Sequence, residues 1–150
     1  QAGADVICLA DHATGGMVSP LMYRDWLLPL HQMIAAEVGC PIVLHCCGNT
    51  TDRLEYFAQS GFDCYHFESQ VAIEDAVRVA AGRMTLMGAI NNPTVLLGGT
   101  TADVAAACQK VLAGGVQILA PECAVPLTTP LDNLRELVEV AEAYRAIPPA

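Results

Sequence analysis

Short apolar runs alternate with longer amphipathic stretches along the chain, and the alternation repeats five times. Runs of about five apolar residues read as strands, and the stretches of ten or so between them as helices. The first strand spans 6–10 and ends at Asp11-His12; a loop with Gly15 and Gly16 leads to Ser19-Pro20, an N-cap with proline at the first helical position. That helix runs to about 38, with Gly39 placed to end it. The second strand, 41–45, continues to Cys47 before Gly48, and Asp52 with Glu55 offers a capping box for a helix ending near Gly61. The third strand is 63–67, followed by a helix over 73–81. The fourth, 84–90, opens into Asn91-Asn92-Pro93; Gly98-Gly99 turns the chain and Thr100 caps a helix through 112. The fifth, 116–120, ends at Pro121-Glu122-Cys123. Thr129-Pro130 then starts an amphipathic helix with Leu131, Leu134, Leu137, Val138 and Val140 on its apolar side.

Five near-continuous apolar strands, each followed by a helix, predict an α/β fold with a parallel sheet covered by helices. Two architectures fit: an open doubly wound sheet, or about five-eighths of a (β/α)8 TIM barrel. No G-x-G-x-x-G follows the first strand, so the dinucleotide-binding fingerprint is missing. Both architectures put function at the C-terminal ends of the strands.

Composition narrows the classes. A chain of 150 residues suffices for one domain with a core, and 53% hydrophobic content excludes a disordered segment. The net charge of −9, with 16 acidic residues against 7 basic, argues against a nucleic-acid partner and against an anionic membrane surface. No apolar run approaches the roughly 20 residues that cross a bilayer. The start has no initiator Met and no signal-like stretch, so the chain is expected to begin inside a longer protein. Seven cysteines, several within apolar runs, suit a reducing cytoplasm better than a secreted disulfide framework.

The unusual residues gather at the strand ends: Asp11-His12, His45-Cys46-Cys47, Glu68, Asn91-Asn92 and Glu122-Cys123. Side chains alternate faces along a strand, so His45 and Cys47 point one way and Cys46 the other. Cys123 reaches the same rim from the fifth strand. A Cys2His set matches catalytic zinc, which keeps three protein ligands and an open position, and thiolates disfavour Mg, Ca and Mn. With seven cysteines in the chain, the competing reading is that these are small core residues. His12 reads either as a ligand contact or as an exposed loop histidine, and Asp11 either positions substrate or satisfies loop N–H groups. Asn91 either lines a pocket or serves the turn before Pro93. His31, His66 and Trp26 read as structural.

His45-Cys46-Cys47-Gly48-Asn49-Thr50, together with 120–126 and 129–134, carries a resemblance. So do Asp11-His12-Ala13-Thr14, Ser19-Pro20 and Met87-Gly88 with Asn91-Asn92-Pro93. The chain resembles the uroporphyrinogen decarboxylase-like superfamily, in its branch of corrinoid-dependent methyltransferases acting on coenzyme M. The decarboxylases of that superfamily lack the His-x-Cys and the distant Cys. The resemblance implies the last five βα units of a (β/α)8 barrel in one domain, with His45, Cys47 and Cys123 binding Zn2+. It implies a carboxylate in the fourth position, for which Glu68 is the candidate and Glu122 and Asp11 are alternatives. It further implies that a zinc-held thiolate attacks the methyl group of a methylcorrinoid (cobalamin) carried by a partner protein, leaving Co(I). Asp11, His12 and Asn91 would then face cofactor or substrate.

Three other readings compete: a corrinoid methyltransferase with a non-thiol acceptor such as tetrahydrofolate, a tetrapyrrole decarboxylase, and an inactive fragment or binding module. The decarboxylase would lean on arginines to hold carboxylates, yet Arg24, Arg53, Arg78, Arg83, Arg135 and Arg145 all fall away from the strand ends. An incomplete barrel is expected to self-associate or to recruit its missing strands, because it exposes sheet edges.

Overall fold

The computed structural model describes residues 3–145. Five strands, β1 (Ile7–Asp11), β2 (Ile42–Cys46), β3 (Cys64–His66), β4 (Thr85–Ile90) and β5 (Ile118–Pro121), pair in parallel throughout. Their order in the sheet is β1-β2-β3-β4-β5. That order separates the two predicted architectures. A doubly wound sheet reverses direction at a switch point, whereas strands that advance one place at a time by right-handed crossovers keep every helix on one face, as in a (β/α) barrel.

The first helical stretch, α1 (20–37), consists of Pro20–Met22, a π-helical turn Tyr23–Leu27, and Leu28–Glu37. Pro29 lacks an N–H and crowds the preceding turn, and the wider π turn lies immediately upstream of it. Ser19 caps the start by accepting from the Met22 N–H at 3.1 Å. Val38 is already extended, so the helix ends at Glu37, two residues before Gly39. A 3-10 turn, Thr51–Arg53, leads into α2 (Leu54–Phe57). The capping box expected here does not form: Asp52 pairs with Arg53 at 2.9 Å and Glu55 with Arg83 at 2.7 Å. The tight turn leaves no Asp52-capped helix start for such a box to serve. Helix α3 (Ile73–Ala80), a π-helical turn (Asn92–Leu97), α4 (Thr101–Ala113) and α5 (Leu131–Arg145) complete the layer. Thr100 and Asp103 do form a reciprocal capping box on α4.

Register divides the sheet into two faces. Leu44, Tyr65 and Leu86 are side by side across β2, β3 and β4, and all three are buried with Cys46 and Ile90 against Tyr23, Phe57, Val104 and Cys108. Burying each such large apolar side chain contributes about 1.5–3 kcal/mol. In α5, Leu134, Leu137 and Val140 pack on this core, whereas Leu131 and Val138, expected beside them, are 66% and 52% exposed. Trp26, expected to pack, is 73% exposed. Ala10, His45 and His66 line up on the opposite, inner face. At Gly88 (φ +133°) a Cβ would sit 2.5 Å from the Phe67 carbonyl oxygen, so this approach of β4 to β3 requires glycine. No described helix is long and apolar enough to cross a membrane.

Candidate metal centre

His45 is the penultimate residue of β2 and Cys47 the first beyond it, so the two-residue period of the strand puts both side chains on the inner face. Gly48, with φ +74°, turns the chain away immediately afterwards. Cys123 comes two residues after the end of β5. His45 Nε2 lies 3.2 Å from Cys47 Sγ, and Cys47 Sγ lies 3.5 Å from Cys123 Sγ. One ligand atom from each residue falls within 4.8 Å of the others. In a tetrahedral zinc site, Zn–S near 2.3 Å and Zn–N near 2.0 Å set S···S at ~3.8 Å and S···N at ~3.5 Å. The two separations that involve Cys47 already stand within a few tenths of an ångström of those values.

The protonation of the site suits a cation. Burial, and next to it the neighbouring His66, lowers the pKa of His45, and burial also lowers that of His66. A neutral imidazole keeps the lone pair that a metal needs. Burial, then the Cys123 thiol, then Glu68 push Cys47 up to about 12. A thiol raised this far keeps its proton at neutral pH, and a bound dication takes the place of such a proton. Soft sulfur with imidazole fits zinc and excludes the hard oxygen-loving ions. His45 Nδ1 is buried without a hydrogen-bond partner.

Of the three candidate carboxylates, Glu68 is the one whose charge helps to raise the Cys47 pKa. Gln70 donates to it at 3.3 Å, and it stands outside the compact three-atom group. Glu122 turns the other way and accepts from the Ser69 and Asn92 backbone N–H groups, each at 3.0 Å. Asp11 is in register with Cys46, so its side chain points into the helix layer. There it accepts from His31 Nε2 at 2.8 Å and the Ala13 N–H at 3.0 Å, away from any ligand on the inner face. Asn91 is also committed: its Oδ1 accepts from the Thr94 N–H at 2.8 Å and its Nδ2 donates to Ser69 Oγ at 3.0 Å. His12 is exposed, near enough to lower the His45 pKa.

His66, read from the sequence as structural, belongs to this neighbourhood. It pairs with His45 across β2 and β3, its ring centroid is 4.5 Å away, and its Nε2–H donates to the Pro121 carbonyl at 2.7 Å. Its place two residues before Glu68 on an alternating strand was the available signal. All seven cysteines are free; Cys46, Cys64 and Cys108 are buried, as small core residues are. The five arginines with described side chains lie elsewhere. Arg53 is fully buried and donates to the Ala13 and Val18 carbonyls, both at 2.7 Å, while Arg24, Arg78, Arg83 and Arg135 form surface ion pairs.

This chain is similar to known proteins over nearly its whole length. It is 33% identical over 141 residues to the methylated-thiol–coenzyme M methyltransferase of Methanosarcina mazei, covering 93% of this chain and 38% of that protein. It is 34% identical over 148 residues to the methylcobamide:CoM methyltransferase MtaA of Methanosarcina barkeri, covering 97% of this chain and 44% of that one. A solved methyltransferase from Methanosarcina mazei superposes with a TM-score of 0.91 at 33% identity, over 96% of this chain and 43% of its own. The chain thus spans about two-fifths of the length of the relatives it matches, as a partial barrel does. The family match covers residues 1–144 and therefore all five strands, and the chain belongs to the uroporphyrinogen decarboxylase (URO-D) family.

Proposed function

We propose that His45, Cys47 and Cys123 bind one zinc ion, and that the chain is the metal-bearing part of a methyltransferase moving a methyl group from a methylated corrinoid to a small thiol. The observation that carries this reading is the convergence of one imidazole nitrogen and two sulfurs within 4.8 Å at the strand ends. The thiol and the corrinoid follow from the relatives, a methylated-thiol–coenzyme M methyltransferase and a methylcobamide:CoM methyltransferase.

Zinc held there would stabilise a substrate sulfur in its thiolate form, the nucleophilic form, at neutral pH. His45 enters as a neutral ligand because burial disfavours its charged form. Cys47 and Cys123 would hold the ion as thiolates. Glu68, whose charge is felt at Cys47, is the carboxylate that would complete the ligand set in the absence of a substrate thiol. His66 keeps its Nε2–H on the Pro121 carbonyl and packs its ring on His45, which orients that ligand. No described arginine reaches this group, which disfavours the decarboxylase reading.

Elemental analysis of the purified chain and of His45→Ala, Cys47→Ala and Cys123→Ala tests the proposal. About one zinc per folded chain, lost in all three variants, is the expected result. A folded wild-type chain that takes up no zinc overturns it.

A further inference from the structure

Cys123 follows Glu122, whose N–H makes the last backbone bond of β5, to the Ile90 carbonyl at 2.9 Å, and Cys123 itself has no ladder bond. Beyond that backbone bond, its place next to Cys47 rests on the side chains that hold its neighbours. The residues on either side of it are both tied to Asn92. The Glu122 carboxylate accepts the Asn92 backbone N–H through Oε1 at 3.0 Å, and the Asn92 side-chain amide donates to the Ala124 carbonyl at 2.9 Å. Through Oε2 the same carboxylate accepts the Ser69 N–H at 3.0 Å and the Ser69 hydroxyl. Ser69 directly follows Glu68. Glu122 is 7% exposed and Asn92 4%. A carboxylate this buried is costly unless each oxygen is paired, and here both are, to the loops after β3 and β4.

We propose that Glu122 is a positioning residue for the metal centre: its carboxylate fastens the end of β5 to the loops carrying Glu68 and Asn92, and so fixes Cys123 beside Cys47. The inference rests on the zinc reading above. It needs an acceptor at both oxygens, because all three partners are donors. Glu122→Gln keeps the shape and replaces one oxygen with an NH2 that confronts donors. Ser69→Ala removes one exposed hydroxyl, which donates to Glu122 and accepts from Asn91 Nδ2, and leaves the buried carboxylate in place, so it tests the same clamp with little risk to folding.

The test is zinc affinity by chelator competition, with the absorption spectrum of the Co2+-loaded chain as a second readout. Glu122→Gln is expected to weaken zinc by about 10- to 100-fold, and Ser69→Ala by about 5- to 10-fold, with shifted Co2+ bands. A residue that only stabilises the fold lowers the melting temperature and leaves affinity and spectrum of the folded chain as they were; that result, in both variants, overturns the proposal. A metal-free probe keeps the two ideas apart. Phenylarsine oxide condenses with two nearby thiols, forming two As–S bonds and releasing water. Its capture above a Cys123→Ser baseline is expected to weaken in Glu122→Gln. If the wild-type chain takes up no zinc but this capture still weakens, the zinc reading fails and the positioning role stands. Unchanged capture together with unchanged metal affinity removes the positioning role.

Discussion

At the ends of β1 and β2, Asp11 and Cys46 point into the helix layer, while His45 and Cys47, one residue out of phase, point to the inner face. The two faces carry the same residue types and differ in how they are satisfied. In the helix layer, Asp11 accepts from His31 Nε2, and His31 Nδ1 bonds Tyr23 Oη at 2.7 Å, so the ring nitrogens are both paired. Tyr65 and Thr50 pair with each other, and Arg53 donates to two loop carbonyls. On the inner face, two thiols and an imidazole meet each other, and the imidazole keeps one buried nitrogen without a partner. Polar groups that satisfy one another hold a fold together, whereas donors converging on one point with no counter-charge make a place for a cation.

The sharpest way to break this comparison is to move one residue along β2. Cys47→Ala is expected to abolish zinc binding, while Cys46→Ala keeps the zinc and costs about 1 kcal/mol of stability by leaving a small cavity. Metal content and urea unfolding of the two variants check this, and equal zinc in both would erase the distinction between the faces. Next in size is Arg53→Ala, which leaves the Ala13 and Val18 carbonyls without donors in a fully buried site. A loss of about 3 kcal/mol is expected in denaturant unfolding of the metal-free chain.

Smaller effects follow from the Asp11–His31–Tyr23 chain. Tyr23→Phe leaves His31 Nδ1 without its hydroxyl and is expected to cost about 1–2 kcal/mol. The hydrogen bond from His31 holds Asp11 below its ordinary value of 3.8. A carboxylate depressed in the folded state stabilises above its unfolded pKa and loses that contribution as pH falls through the folded value. Thermal unfolding of the wild type is therefore expected to weaken below about pH 4, and Asp11→Asn to flatten that acid limb.

A last effect lies at alkaline pH. Burial, together with Cys123 and Glu68, raises Cys47 from 9.0 to about 12. A group raised in the folded state stabilises below its unfolded pKa and loses that contribution as pH rises. The metal-free chain is expected to lose stability from about pH 9 upward, and zinc to remove the share due to Cys47. The share due to Cys46, raised to about 12 chiefly by burial, remains with zinc bound. A limb insensitive to zinc would place the metal away from Cys47.

Much of the site was legible in the linear chain, because strand alternation is a local rule. It separates Cys47 from Cys46 and pairs Cys47 with His45 before any tertiary contact is known. Applied with equal weight to Asp11, which pairs in register with Cys46, the same rule would have turned that carboxylate into the helix layer, but the register between β1 and β2 is not a local property. Asn91 was read two ways, and its amide caps the following turn, as the Asn before Pro93 suggested. The Asp52–Glu55 capping box failed where nearby arginines offered those carboxylates partners. The role of His66 was missed because it depends on the β5 carbonyl at Pro121, 55 residues away.

The sequence alone determined that this is a parallel α/β fold with its chemistry at the strand ends, since apolar period, helix caps and strand alternation are set by neighbouring residues. Tertiary structure decided the rest. The single-direction strand order chose the barrel type over the doubly wound sheet, and the joining of β5 to the loops after β3 and β4 brought Cys123 to 3.5 Å from Cys47. Distances between residues far apart in the chain depend on how separate elements pack, and no local pattern encodes them.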